Sequence, residues 1–184
     1  DLHGGGSWCV NAFGVEFEGS EGLAQVMNPP FLLRSVEKKG SLTGYGKING
    51  NEVTALEMGG KSYFEKDYAN EIVNRLWNAL VYTEILDEEK ISFNYSSRYV
   101  GSSLVLRPDN GGLFIPEFNE DKVGTVIGKN ELLGRMVDPV NFRTFEKFNS
   151  PFEKTAILLL RPRITLLEGG AMTYVVSPLL EGYE

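Results

Sequence analysis

Helical periodicity runs through one stretch of this chain and then disappears, and that break constrains the fold more than any other feature. Between Glu65 and Leu86, Ala69, Ile72, Val73, Leu76, Leu80 and Val81 recur at three- and four-residue spacing. That spacing puts them on one face of an amphipathic helix able to cover a sheet. Past Asp87-Glu88-Glu89-Lys90 the period does not return. Short β-rich runs follow between Gly, Pro and Asn breaks: Ser97 to Leu106, Leu113 to Ile115, Lys122 to Ile127, Leu132 to Val137, Thr144 to Phe148, Ala156 to Leu160 and Met172 to Val176. Before the helix, apolar runs alternate with helical patterns, as an α/β layer does. Phe13 to Phe17 and Phe31 to Val36 read as strands. Ser20 is placed to cap a short helix that Pro29-Pro30 must end, and Ser41 to cap another. Val53 to Leu56 reads as a strand that delivers Glu57 at its end before Met58-Gly59-Gly60 breaks it. The expectation is an α/β domain over residues 1–90 and a β-rich domain over 91–184.

Charge and histidine content narrow the chemistry. Eighteen Lys+Arg against 25 Asp+Glu give a net charge of -7, whereas nucleic-acid and anionic-membrane binders present basic surface; neither partner class is expected. The longest apolar run, Ala156 to Leu160, is stopped by Arg161-Pro162-Arg163, far short of the roughly 18 apolar residues a bilayer span requires. Cys9 is the only cysteine, so a reducing, cytoplasmic setting is the simpler reading. His3 is the only histidine, whereas a catalytic zinc takes about three protein ligands, rich in His. The opening Asp1-Leu2-His3, with no Met and no leader, reads as an interior piece of a longer protein.

Three patterns carry candidate chemistry. In Asp1-Leu2-His3-Gly4-Gly5-Gly6, glycines let the backbone turn sharply beside an imidazole. The alternative is a hydrogen-bonded structural histidine, and the Gly-Lys-Ser/Thr ending of a phosphate loop is missing. Glu57, after an apolar run and before two glycines, suits a general base; the plain alternative is a solvated acid or a partner for Lys61. In the second half, Gly111-Gly112-Leu113-Phe114, Val126 to Gly134, Asn149 to Phe152 and Glu168 to Met172 give glycine-punctuated strand pairs. They resemble the hairpins of lipoyl and biotinyl carrier domains, which implies a small all-β barrel-sandwich. A carrier displays a lysine on the turn after Leu-Leu-Gly. Here that turn is Met136-Val137-Asp138-Pro139-Val140, and Lys122 lies one hairpin too early.

Taken in order, Asp1-Leu2-His3-Gly4-Gly5, Leu56-Glu57-Met58-Gly59-Gly60, a helix, and a β module with Ser150-Pro151 and Gly169-Gly170 steps resemble the succinylglutamate desuccinylase/aspartoacylase family, a branch of the zinc-carboxypeptidase-like hydrolases. The resemblance runs from residue 1 to about 177. It implies a partial zinc-carboxypeptidase-like α/β sheet layer followed by the barrel-sandwich. It also implies Zn2+ held by a His-x-x-Glu pair and by the His of Asp-Leu-His, which matches His3. A Glu in a Glu-x-Gly context, matched by Glu57, acts as general base on metal-bound water. The implied substrate is an N-acyl amino acid or similar small amide. No His-x-x-Glu occurs, and the substrate-gripping Arg segment that precedes Asp-Leu-His is also absent. The implied partner is therefore an N-terminal segment supplying the other zinc ligands, without which the chain is expected to be inactive; a homo-oligomer stays open.

Arg98, Arg107 and Arg135 are candidate carboxylate binders, each with a structural alternative, and Cys9 could line the site or simply fill space. The rival from another class is a noncatalytic binding or assembly module with a lipoyl-like β domain, in which His3 and Glu57 are structural.

Overall fold

The structure, a computed structural model, describes residues 1–3, 8–61 and 65–182; His3, Trp8 and Lys61 enter as backbone positions. Thirteen strands are described: β1 (Leu2–His3), β2 (Trp8–Phe17), β3 (Phe31–Ser35), β4 (Thr54–Lys61), β5 (Arg98–Val100), β6 (Leu104–Leu106), β7 (Gly112–Pro116), β8 (Val126–Gly128), β9 (Leu132–Val137), β10 (Thr144–Asn149), β11 (Lys154–Leu160), β12 (Thr165–Leu167) and β13 (Tyr174–Pro178). The helices are α1 (Glu21–Met27), α2 (Leu42–Ile48) and α3 (Lys66–Tyr82).

Nine strands form one mixed sheet whose main path is β1-β4-β2-β11-β13-β6, with β3 and β5 continuing from β2 and β8 beside β11. Strands from before and after residue 90 thus hydrogen-bond together: β11 meets β2 at Leu159–Asn11 and Leu160–Val10. The remaining strands form a four-stranded antiparallel sheet, β10-β9-β7-β12. The architecture is mixed α/β, and the described strands do not close into a barrel.

Side-chain alternation sorts the two faces of β4. Leu56 and Met58 pack with Met27, Tyr68, Ile72 and Ala79 under α3, while Ala55 joins Phe13, Val15 and Phe31 on the other face. In the β-rich half, Phe114, Leu133, Met136, Phe148, Ile157 and Tyr174 form a core between the two sheets. Phe114 sits edge-on to Phe148 and Tyr174, with centroids 6.0 and 6.3 Å apart, a favoured aromatic geometry.

Several expectations change. The α3 stripe is rotated by one residue: Tyr68, Ile72, Arg75 and Ala79 face inward, while Val73 is 60% exposed and Ala69, Leu76 and Leu80 are exposed too. Hydrogen bonding explains the rotation, because Arg75 and Asn78 reach inward to the backbone carbonyls of Met27, Asn28 and Ile91. Arg75 donates through Nη1 to Met27 O at 2.9 Å and to Asn28 O, and through Nη2 to Tyr95 Oη at 2.5 Å and Glu71 Oε2 at 3.1 Å. Asn78 Nδ2 donates to Ile91 O at 2.9 Å, and its Oδ1 accepts from the Ile91 N–H at 2.7 Å.

Ser41 caps α2 as expected, accepting from the Gly44 N–H at 3.0 Å. Ser20 precedes α1 without a side-chain cap bond; its Oγ accepts instead from the Val53 N–H at 3.0 Å. Glu57 lies inside β4 and not at its end, for the strand continues through Gly59 and Gly60 at φ of 87° and 119°. Glycine tolerates that backbone, and the Glu65 carboxylate accepts the Gly60 N–H at 2.7 Å. The run Ser97 to Leu106 is two strands split at residues 101–103, and Lys122 ends a short 3-10 turn before β8.

Candidate active site

The site grows from the pairing of the two strands that hold the sequence candidates. β1 runs parallel to β4 with Leu2 opposite Leu56 and His3 opposite Glu57. Two segments separated by the whole of α1, β3 and α2 therefore bring these residues to the same level of the sheet. Glu57 alternates away from the α3 face and is half-buried. Its Oε2 accepts from Asn11 Nδ2 on β2 at 3.0 Å. Asn11 is 2% exposed, so the amide is fixed and fixes the carboxylate in turn. Cys9, two residues earlier on β2, is also buried. Burial holds its thiol above the ordinary value, with the charge of Arg161 pulling the other way.

The chemistry of this set is that of an acid held by an amide beside a histidine position. It fits zinc in kind but not in number: among the described residues, no three His, Cys, Asp or Glu side chains converge where one ion could be held. A closed coordination set would need donors beyond the described residues of the chain. Gly4, Gly5 and Gly6 lie outside the described residues.

The three arginines singled out from sequence are engaged structurally. Arg98 stacks 4.7 Å from the Phe31 ring centroid, Arg107 Nη1 donates to Gly170 O at 2.6 Å, and Arg135 pairs with Glu117. Sequence reasoning missed Asn11 and Arg161. The signal for Asn11 was an amide at the centre of a strand otherwise apolar on its inner positions, where a polar side chain requires a partner.

A separate cleft of about 520 Å³ opens on the α3 face, between Met58, Tyr68, Glu71, Tyr95, Arg98 and Glu120. There, burial and neighbouring carboxylates push the Tyr68 hydroxyl up to about 12. Leu56 and Met58 define that face, so the cleft lies across the sheet from Glu57.

No protein-family model and no curated protein matches the sequence. Solved structures do match it in fold. The apo structure of the ectoine utilization protein EutE (DoeB) from Ruegeria pomeroyi gives a TM-score of 0.77 at 17% identity, over 97% of this chain and 59% of its own. A succinylglutamate desuccinylase/aspartoacylase from Rhodobacter sphaeroides gives 0.80 at 13% identity, over 99% and 58%. A succinylglutamate desuccinylase from a Silicibacter species gives 0.73 at 18%, over 98% and 57%. The chain thus has the fold of structures from the family its motifs resemble, and spans 57 to 59% of the length of these three.

Proposed function

We propose that a chain with the fold of the succinylglutamate desuccinylase/aspartoacylase structures shares their family and is the C-terminal portion of a zinc-dependent amidohydrolase. It cleaves the amide bond of an N-acyl amino acid or a similar small amide. The observation that carries this reading is the register of β1 on β4, which sets His3 beside Glu57. Among this chain's residues, His3 is the zinc ligand and Glu57 the general base. Asn11 holds Glu57 Oε2 and leaves Oε1 to take the proton of the attacking water and return it to the departing amine as the C–N bond breaks. When bound, zinc polarises the scissile carbonyl and makes water acidic near neutral pH. The β-rich half, as a barrel-sandwich without the carrier lysine, narrows access to the site. The division near residue 90 is then one of role, with the sheet continuous across it.

The remaining ligands come from polypeptide outside these 184 residues. Two features support that. This chain covers only 59 and 58% of two solved structures of this fold. Leu76 on α3 lines a cleft together with Leu2 of the outer strand β1 and Leu42, and all three stay exposed to water; exposed apolar patches mark interfaces.

The test is Glu57→Gln in the natural polypeptide that carries this chain. Hydrolysis of N-acyl amino acids should fall by about 10²–10⁴-fold, with zinc content by atomic absorption unchanged. Wild-type turnover in that variant would remove Glu57 as base and favour the noncatalytic binding module, in which Asn11–Glu57 is a structural bond.

A further inference from the structure

Arg161 follows β11 at the end of the sheet where Cys9 and Asn11 lie. Its N–H donates to Thr173 O at 3.1 Å and its Nε to Met172 O at 3.2 Å, which ties backbone and side chain to the segment leading into β13. The residue is only 7% exposed. A guanidinium carries five N–H donors and keeps its charge at every working pH, and Nε uses one of the five. Among the described residues, no carboxylate pairs with it. Arg75 Nε is the one sealed side-chain nitrogen without a partner among them, so the Arg161 Nη amines, with no partner either, open to solvent.

An arginine buried this far is costly unless a counter-charge meets it. Its charge acts on Cys9, whose thiol is raised by burial and supplies no counter-charge near pH 7. Asn11 is committed to Glu57. The Arg161 Nη donors thus stand open to an anion brought by a ligand. We propose that Arg161 is the anion-recognition residue of the Glu57 site, gripping a substrate carboxylate through its paired Nη donors. This rests on the hydrolase reading above and adds to it a specificity contact from the β-rich half. Planar guanidinium and carboxylate match as two parallel hydrogen bonds, a geometry that lysine cannot reproduce.

Calorimetric titration of the natural polypeptide with succinate, and with its neutral analogue succinamide, tests the assignment. Wild type should bind succinate more tightly than succinamide. Arg161→Gln should weaken succinate at least tenfold and leave succinamide unchanged, with Arg161→Lys in between. Glu57→Gln, which removes a negative charge from the site, should bind succinate at least as tightly as wild type, which separates the two readings: loss of hydrolysis tests the base, loss of succinate tests Arg161. Equal succinate affinity in wild type and Arg161→Gln, or no preference of wild type for succinate over succinamide, would overturn the inference. If Arg161→Gln does not fold, Arg161→Lys decides, since it keeps the charge and loses only the fork; unchanged affinity there would also overturn it.

Discussion

Helix α3 and the β-rich half are attached to the same sheet by different means. Beneath α3, Tyr68, Ile72 and Ala79 pack on Leu56 and Met58, but this apolar strip is joined by a polar anchor: Arg75 is fully buried between the carbonyls of Met27 and Asn28, the Tyr95 hydroxyl and the Phe93 ring, whose centroid lies 4.7 Å away. In the β-rich half, Phe114, Leu133, Met136 and Tyr174 are all sealed from water, and the one polar group among them, the Tyr174 hydroxyl, donates to Leu133 O at 2.8 Å. An apolar core gains its stability from area and is indifferent to direction. A buried guanidinium is directional, and it fixes which loop sits where. The loop that Arg75, Asn78 and Asn28 hold carries Tyr95, Ser96 and Arg98 to the cleft on the α3 face. Polar attachment thus occurs where a loop must be positioned, and apolar attachment where mass must be held.

This contrast can be broken by substitution. Phe114→Ala should cost about 3–5 kcal/mol by cavity formation and lower the midpoint of the whole chemical denaturation curve. Arg75→Met should cost about 3 kcal/mol, since it strands the carbonyls that the guanidinium satisfies. Its signature should be local, with hydrogen exchange accelerated over residues 91–98 well before global unfolding. Uniform acceleration across β7 and β9 as well would show that the two attachments are not distinct.

The smallest effect is one of pH. The Tyr68 hydroxyl titrates near 10 when unfolded and is pushed up to about 12 in the fold. The folded state therefore holds its proton longer. The stability it contributes is complete below about pH 10 and is lost as the pH rises towards 12. Thermal melts between pH 9 and 12 should show a shallower decline for Tyr68→Phe than for wild type, and identical slopes would exclude Tyr68 as a contributor.

Much of the fold was legible where local signals agreed. Leu132 to Val137 is β9 at both ends, and Ser41 caps α2. The rotation of α3 was not legible, because counting apolar residues assumes that the inward face is apolar, whereas Arg75 and Asn78 are drawn in by carbonyls at the end of α1 and by Ile91. The continuation of β4 past Glu57 was hidden for a related reason. Paired glycines read as a break when the carboxylate that steadies them, Glu65, is supplied by a later segment. His3 and Glu57 could be singled out by residue type, while their shared register, the Asn11–Glu57 bond and the place of Arg161 after β11 follow only once β1, β2, β4 and β11 lie side by side.

The threading of that sheet bears on how the chain is made. β2 is synthesised well before β11, so Asn11 and Val10 wait for Leu159 and Leu160. Pairing between such distant positions is slow, and until it happens the Val10–Asn11 end of β2, beyond the stretch that β3 pairs, stays unfilled on one edge and available to neighbouring nascent chains. Translation rate and chaperone access should therefore govern the yield of this polypeptide more strongly than its final stability does.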